Sequence, residues 1–470
     1  MSANRVGSRH QRPVRTKLPH IGRPSNIVIA FAVFALTVAL TGGSARNDIG
    51  WLLLMRPVVI ICIVAMLLPD RQNWVSIRPL PLLLVVFAGT IAIQLVPLPP
   101  SLWTALNGRD GAVLVAKAVG GIDQWRPLSL SPDRTWNSLI ALLVPFGALA
   151  GFAALDDRQR RLLLWPMLGI VAFSMILGVI QIASGETSPI YWYRVSGRGQ
   201  LIGLLANRNH QGAMLACALP LLRAWTLFPA PNPQSQRVRT FIGMAAAAAI
   251  LLYLLVLGSR AGLALGLIGL VAAFLVEPRL TNRKLPARQR WMIILAVIVG
   301  LAALLGIALT ADRAVSIGRI TNDELSTEGR IAAMPTLFHI MKETMPFGTG
   351  FGSFVPVYAS YEPDALLKPT YFNNAHNDLI ELAITGGLPA VAVFVAFLAW
   401  LARASWRTVT GHAPKPWRAL QRGAAFAILI LLLASLADYP LRTPLLGAFF
   451  TILCCWLAHR PTIGTSHSND

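Results

Sequence analysis

The sequence predicts an all-α integral membrane protein with about twelve transmembrane helices, and composition and apolar patterning carry this prediction. The chain has 470 residues, of which 55% are hydrophobic and only 13% charged, and its mean hydropathy is +0.59. Soluble domains carry about 25% charged residues, so this chain has too little charge to cover a water-exposed surface. Apolar runs near the length that crosses a bilayer, about 20 residues, recur along the whole chain.

The candidate spans follow one another from the N-terminal to the C-terminal region. Their expected bounds are 26–40, 51–68, 79–96, 137–154, 162–182, 201–222, 241–257, 261–276, 291–309, 388–401, 424–436 and 445–458. All four cysteines lie inside these runs, which indicates small core residues and not a disulfide or zinc framework.

Charge predicts how the spans are oriented. The net charge is +21, and Lys and Arg concentrate in cytoplasmic loops, where they also meet anionic lipid headgroups. We therefore expect membrane lipids, and no nucleic acid, as the partner of this positive charge. With a basic cytoplasmic N-terminus, the short basic loops 156–161 and 279–290 fall in the cytoplasm. The long segments 97–136 and 311–378 then fall on the far side of the membrane.

Both far-side segments contain helical patterns. We expect an interfacial helix over 101–119 and a second helix over 327–345, with Ser326 or Thr327 as its N-cap. The aromatic and apolar content of the second segment predicts that it is ordered. The expected division of the chain is a cytoplasmic tail at 1–25, N-terminal transmembrane helices at 26–183, a transmembrane region with the loop 311–378 at 184–459, and a cytoplasmic tail at 460–470.

Three polar islands at the edges of apolar runs carry the functional signal. They are residues 258–262, 327–330 and 373–378, which contribute Arg260, Arg330 and His376. The predicted topology places all three on the same, far side of the membrane. Guanidinium groups match phosphate with a planar fork, and an imidazole that titrates near ~6.5 can accept a proton from a hydroxyl. Together they predict a phosphate-handling site, although each residue alone also fits a membrane anchor, a surface charge or a helix cap.

The far side offers no set of metal ligands in the sequence. Its carboxylates are scattered, and His376 has no second histidine nearby. We therefore predict no metal and no cofactor, with arginine supplying the positive charge. Two further polar clusters stand out. Arg198 precedes the stretch Asn207-Arg208-Asn209-His210 at the start of the sixth predicted span, and Asp438 and Arg442 flank a tight turn across which we expect them to pair.

Taken in order, these pieces resemble the superfamily of O-antigen ligases and O-antigen polymerases, bacterial envelope glycan transferases. The resemblance extends from about 194 to 444, and the first five spans match only in being hydrophobic. The matching residues are Arg198-Gly199, Gly203, Asn207-Arg208-Asn209, Ser259-Arg260, Gly329-Arg330, Pro346, Gly348, Gly350, Tyr358, Asn374-Ala375-His376-Asn377 and the stretch 438–444.

The resemblance implies a fold of the GT-C-like type and an enzyme of the inner membrane. Such an enzyme moves a glycan from undecaprenyl pyrophosphate to an acceptor hydroxyl at the periplasmic face, without a metal. The acceptor is lipid A core in a ligase or a growing polysaccharide in a polymerase, and a protein hydroxyl is a third alternative. The resemblance does not distinguish these acceptors, and neither the sugar nor the oligomeric state follows from the sequence.

Residue roles carry over by position from the resemblance. His376 would activate the acceptor, and Arg260 and Arg330 would bind the pyrophosphate leaving group. The substrate-binding candidates are Arg198, Asn207, Arg208, Asn374, Asn377 and Tyr358. The chain departs from the family pattern at Thr385, where members often have an acidic residue, and Glu381 lies one turn earlier.

The main alternative is a transporter, such as a flippase of lipid-linked glycans. A transporter would show charged residues along a central cavity and paired broken helices in two similar halves. This chain has one large asymmetric loop and no likeness between its halves, which favours the transferase. A purely structural membrane partner is the remaining alternative.

Overall fold

The computed structural model of the protein describes residues 25–46, 48–69, 72–193, 197–277, 324–367, 371–411 and 413–461. The predicted span 291–309 and the basic loop 279–290 lie outside the described residues, as do most of both tails and residues 311–323 of the predicted periplasmic loop.

The described chain is mostly helical, as predicted, and its strands form one short antiparallel pair, β1 (Pro97–Leu98) with β2 (Arg126–Pro127). Its α-helices are α1 (Asn26–Thr41), α2 (Trp51–Leu67), α3 (Pro79–Ile93), α4 (Pro100–Trp103), α5 (Asp110–Ala118), α6 (Pro132–Ala141), α7 (Leu143–Ala154), α8 (Asp157–Leu162), α9 (Leu164–Ala183), α10 (Arg208–Thr226), α11 (Pro233–Val256), α12 (Arg260–Leu275), α13 (Glu324–Thr344), α14 (Phe354–Tyr361), α15 (Asp378–Thr410), α16 (Lys415–Ala434) and α17 (Pro444–Ala458).

The helices are consistent with a membrane protein. Within the described residues, five helical segments are long and apolar enough to cross a membrane by length and composition. They are Pro132–Ala154, Asp157–Ala183, Pro233–Val256, Asp378–Thr410 and Lys415–Ala434. Five shorter apolar helices, α1, α2, α3, α12 and α17, have between 10 and 17 residues. The number of twelve spans stays a prediction.

Helix α10 lies at the centre of the molecule and begins later than predicted. The sixth span was expected from residue 201, but the helix starts at Arg208, because the Asn207 side chain caps it by accepting a hydrogen bond from the Asn209 N–H. Almost every residue of α10 is buried, and the helix packs against α12 and α16. A Cβ added to Gly212 would lie 2.6 Å from the Gly262 Cα. Glycine at this crossing therefore lets the N-termini of α10 and α12 approach closely.

The first far-side segment does not form the single helix expected over 101–119. Helices α4 and α5 are separated by a turn in which Gly108 has a φ of 69°. This left-handed conformation ends a helix and favours glycine. A Cβ at Gly108 would lie 2.9 Å from the Thr344 methyl group, so the turn is pressed against the end of α13.

The second far-side segment is ordered over its described residues, as its composition predicts. Helix α13 begins at Glu324, so Ser326 and Thr327 lie inside the helix and the expectation that one of them caps it is wrong. The preceding residues Glu324 and Leu325 are good helix formers and extend the helix toward its N-terminus. Apolar side chains from α13, α14 and the start of α15 form a buried cluster, which includes Ala333, Leu337, Ile340, Phe354 and Ile384.

The glycine-rich loop 346–352 is fastened to a kink in α15. Helix α15 is interrupted at Gly387, which has a non-helical conformation with a φ of 61° and is followed by Pro389 two residues later. The kink leaves helix carbonyls without their usual partners. Thr349 N–H donates to the Ile384 carbonyl at 3.0 Å and Gly350 N–H donates to the Thr385 carbonyl at 2.9 Å.

Gln94, just beyond the end of α3, joins this loop to α15. Its amide donates to the Thr385 carbonyl at 3.0 Å and accepts from the Phe351 N–H at 2.9 Å. Its own carbonyl accepts from the Ser129 N–H at 2.8 Å, and its side chain is buried. Ser129, the loop 346–352 and α15, which are distant in sequence, therefore meet at Gln94. These hydrogen bonds fix the first two turns of α15.

Candidate active site

Asp438 follows α16 and is the side chain on which the site converges. Its carboxylate is 4% exposed. Asn209 and Asn207 donate to Oδ2 at 2.8 and 3.1 Å. His376 Nδ1 contacts Oδ1 at 3.2 Å, and the Tyr439 N–H donates to the same oxygen at 3.1 Å. A buried carboxylate is stable in its charged form when its oxygens accept this many hydrogen bonds.

His376 is held in one orientation by Asp438 and by aromatic rings. An ionised carboxylate only accepts hydrogen bonds, so Nδ1 is the donor and a neutral imidazole keeps its lone pair on Nε2. The ring lies 5.1 Å from the Tyr439 ring and 5.4 Å from the Phe372 ring, measured between centroids. The backbone of His376 has a φ of 49°, a left-handed conformation that is uncommon outside glycine and concentrates at functional sites.

Burial lowers the pKa of His376 below its ordinary value. Asp438 opposes this effect, and the positive charge of Arg330 lowers the pKa further. The imidazole is therefore neutral at neutral pH. Burial by itself would raise the pKa of Asp438, but His210 and His376 hold it well below its usual range. A neutral imidazole on an ionised carboxylate is the protonation state that a general base requires.

The first turn of α15 fixes the backbone around His376. The Asn377 side chain caps the helix by accepting from the N–H groups of Leu379 and Ile380, and it donates to the Leu436 carbonyl at 3.0 Å. Both ends of this amide are engaged. The structure therefore gives Asn377, which the sequence suggested as a substrate-binding residue, a capping contact.

Asp378 and Glu381 lie one turn apart on α15, and both bind Arg442 in the turn that follows α16. Glu381 accepts from the Ala375 N–H at 2.8 Å, directly before His376, and from Arg442 Nη1 at 2.6 Å. Arg442 Nε donates to Asp378 at 2.7 Å. The expected ion pair between Asp438 and Arg442 is wrong. The two side chains leave their shared turn in different directions, Asp438 toward the start of α10 and Arg442 toward the acidic start of α15.

A chain of hydrogen bonds connects the start of α12 to Asp438. Gly262 N–H donates to Ser259 Oγ at 2.9 Å, which caps α12, and the Ser259 hydroxyl donates to Asn209 Oδ1 at 2.7 Å. Asn209 then donates to Asp438. The islands at 258–262 and 373–378 are therefore joined through α10, and hydrogen bonds in such a series polarise one another.

The arginines that the sequence predicted for the site differ in how deeply they are buried around this network. Arg330, half-buried on α13, lines the same cavity as Arg208 and Asn374 and is close enough to His376 to lower its pKa. Arg208 begins α10 and its guanidinium lies beside Gly258, 3.9 Å from where a Cβ would stand. Arg260 begins α12 directly after Ser259, and its side chain is exposed.

The structure does not bring every predicted residue to this network. Arg198 is exposed in the loop before α10. Tyr358 is 2% exposed and packs within the apolar cluster of α13 and α14. Its ring lies 4.9 Å from that of Phe372, which in turn contacts His376. Tyr358 therefore reaches the site through Phe372.

A cavity of about 1580 Å³ connects the polar network to the apolar helices. Arginine and asparagine side chains line its polar end, including Arg208, Arg330, Asn373 and Asn374. Its other walls are apolar side chains of α3, α15, α16 and α17, including Leu84, Phe87, Phe394, Phe397, Leu432 and Phe450. The cavity is suited to an amphipathic ligand with an anionic head.

Several residues of the network were not expected as site residues from the sequence. His210 was noticed only as a polar residue at the start of a span. Asn209 and Asp438 also matched the family pattern, but Asn209 was given no role and Asp438 only an ion pair with Arg442. The available signal was the density of polar side chains at 207–210 and 438–442, beside strongly apolar runs. In the described parts of the chain, no group of three or more His, Cys, Asp or Glu side chains could hold a metal ion.

The helical fold is consistent with a membrane protein, and its buried His376–Asp438 pair lies next to an amphipathic cavity. Residues 245–395 match the family model described as O-antigen ligase. This region therefore carries a domain of the O-antigen ligase and polymerase superfamily, as the motifs predicted. The match includes Arg260, Arg330 and His376, whereas α10 and Asp438 lie outside it. A comparison with curated proteins finds no match for the chain.

Proposed function

We propose that the protein transfers a glycan from a polyprenyl pyrophosphate carrier, of the undecaprenyl type, to an acceptor hydroxyl, at the periplasmic face of a bacterial inner membrane. The family match supports glycan assembly of the ligase or polymerase type. The observation that carries the reaction is the contact of His376 Nδ1 with the ionised Asp438 at 3.2 Å, which reserves Nε2 for a proton.

In the proposed reaction, the acceptor oxygen attacks the anomeric carbon of the glycan. The bond between that carbon and the pyrophosphate oxygen breaks, and its electron pair leaves with the pyrophosphate. His376 Nε2 takes the acceptor proton, and Asp438 stabilises the resulting imidazolium. The products are the new glycosidic bond, the free polyprenyl pyrophosphate and one proton, which His376 releases before the next turnover.

Arginine supports the departure of the pyrophosphate. Arg330 and Arg208 line the polar end of the cavity, and guanidinium groups bind phosphate oxygens through bidentate hydrogen bonds. A preorganised donor of this kind contributes about 3–4 kcal/mol to transition-state stabilisation. Arg260 lies at the next helix start, where it would contact the outer part of the anion. With these cations in place, the reaction would need no metal.

The apolar walls of the cavity support a lipid-linked donor. A polyprenyl chain would lie against the side chains of α3, α15, α16 and α17 while its pyrophosphate meets the arginines. The acceptor is lipid A core in a ligase or a growing polysaccharide in a polymerase, and the same His376 chemistry serves both.

The direct test is transfer by the purified protein in lipid. The protein is incubated with an undecaprenyl-pyrophosphate-linked glycan and either acceptor, in excess EDTA, and both products are measured. We expect glycosylated acceptor and undecaprenyl pyrophosphate in equal amounts, with turnover that survives the chelator. Absence of transfer to both acceptors, or a requirement for added magnesium or manganese, contradicts the proposal.

A further inference from the structure

The mouth of the cavity carries an exposed aromatic ring that the proposed reaction does not use. Tyr371 lines the cavity and is 60% exposed. It lies two residues before Asn373, whose amide donates to the Tyr439 hydroxyl at 3.1 Å, next to His376. An aromatic ring that lines a cavity and stays exposed gains apolar burial only when a ligand covers it.

A planar ion pair lies at the same mouth. Arg46 and Asp48, from the segment between α1 and α2, both line the cavity. Arg46 Nε and Nη2 donate to the two carboxylate oxygens of Asp48 at 2.9 and 2.6 Å, a bidentate geometry. The hydrogen bond with Asp48 raises the pKa of Arg46, and Tyr371 and Tyr439 raise it further. Both tyrosines therefore lie within electrostatic reach of Arg46.

These groups match the surface of a sugar. A pyranose ring has a face of C–H groups, which a flat aromatic ring covers, and an edge of adjacent hydroxyls, which planar polar groups bind in pairs. Arg46 supplies donors, and Asp48, whose side chain is 65% exposed, supplies acceptors. An anion would meet the charge of Asp48, which disfavours phosphate at this ion pair.

We propose that Tyr371, Arg46 and Asp48 form a saccharide-binding subsite at the mouth of the cavity. The inference rests on the proposed function, because the bound saccharide belongs to the glycan donor or to the glycan acceptor. Arg46 and Asp48 lie in the N-terminal region, outside the matched residues 245–395. The sugar preference of this protein is therefore set partly by a part of the chain that the family match does not include.

Kinetics of purified Tyr371→Ala, Tyr371→Phe and Asp48→Asn test the subsite. The Michaelis constants of glycan donor and acceptor are measured, together with the inhibition constant of undecaprenyl pyrophosphate, which carries no sugar. Trp125→Ala is the matched control, because Trp125 is 66% exposed on the other far-side segment and does not line this cavity.

We expect Tyr371→Ala to raise one Michaelis constant about tenfold, the equivalent of one lost stacking contact. Tyr371→Phe keeps the ring and stays near wild type, and Asp48→Asn, whose exposed side chain carries little folding risk, also raises the constant. A rise for the donor or for the acceptor assigns the saccharide to that substrate. The inhibition constant and the Trp125→Ala control stay within about twofold of wild type.

Two outcomes overturn the subsite. Michaelis constants within about twofold of wild type in both Tyr371→Ala and Asp48→Asn would show that no sugar binds there. An inhibition constant for undecaprenyl pyrophosphate that rises in step would show a phosphate contact instead. In either case wild-type transfer remains measurable, so failure of the subsite is distinct from failure of the proposed function.

Discussion

At the scale of single residues, Arg330 combines two effects on the site. It lines the cavity in which we place the pyrophosphate, and its positive charge lowers the pKa of His376. The two effects separate in substitutions, because lysine keeps the charge but loses the planar fork, and glutamine loses both.

The pH dependence of turnover tests this coupling. The base must be neutral, so kcat/KM falls as pH falls through the pKa of His376, and in wild type this limb lies below about pH 6.5. In Arg330→Gln we expect residual turnover about 10²–10³-fold lower, with the limb moved to higher pH because removal of a positive charge favours the imidazolium. Arg330→Lys keeps the limb near its wild-type position.

A limb that stays in place or moves to lower pH in Arg330→Gln contradicts the placement of Arg330 beside His376. An equal shift in Arg330→Lys would show that geometry, and not charge, controls the pKa of the imidazole.

The sequence predicted which residues carry the chemistry of the site better than it predicted the contacts between them. His376 and Arg330 were expected and lie together, because their chemistry is visible in the side chain itself. The role of Asp438 was not predicted, since its partners Asn207, Asn209 and His376 are distant in sequence and meet only through the packing of α10. The direction in which Arg442 leaves its turn depends on tertiary structure in the same way.

At the scale of elements, the junction at Gln94 fixes α15 and therefore His376. Its amide is paired with the Thr385 carbonyl and the Phe351 N–H. Leucine has nearly the same size but makes neither hydrogen bond. The Thr385 carbonyl keeps its hydrogen bond from the Gly350 N–H, whereas the Phe351 N–H is left without this partner, at a cost of about 1–3 kcal/mol.

We therefore expect Gln94→Leu to lower the midpoint of thermal unfolding in detergent by several degrees. Gln124→Leu is the control, because Gln124 is exposed and a surface substitution changes stability by about 0.5 kcal/mol or less. An unfolding midpoint of Gln94→Leu equal to that of the control would show that the junction does not hold these elements together.

Helices were predicted well because long apolar runs with caps are local signals. Asn377 caps α15, and the break near Gly387 lies in the Gly-Gly-Leu-Pro sequence. Asn207 caps α10 at a position that the sequence placed inside the sixth span, so this helix start was missed. The first far-side segment was mistaken for one helix, because its break at Gly108 is set by packing against α13. The local sequence gives no indication of the contact between this turn and α13.

At the scale of the whole molecule, the proposal requires the site to face the periplasm. The described residues allow a test with single cysteines in a background without the four native ones. Ser360 is exposed on the second far-side segment, and Gln234 is exposed at the start of α11. Gln234 lies between the predicted spans 201–222 and 241–257, where alternation from a cytoplasmic N-terminus places the chain in the cytoplasm. An impermeant thiol reagent applied to intact cells should label Ser360→Cys and leave Gln234→Cys unlabelled. The reverse pattern would invert the topology and place the site in the cytoplasm.

The central claim is that His376 is the general base, and one comparison tests it directly. Turnover and binding of the undecaprenyl-pyrophosphate-linked donor are both measured for purified His376→Ala. His339→Ala serves as the matched control, because His339 lies on the same far-side segment with 60% of its side chain exposed. We expect turnover to fall about 10²–10⁴-fold in His376→Ala, with donor binding nearly unchanged because the arginines hold the pyrophosphate, and no change in the control. Turnover near the wild-type value, or loss of donor binding in proportion to loss of turnover, would contradict the assignment of His376 as the base.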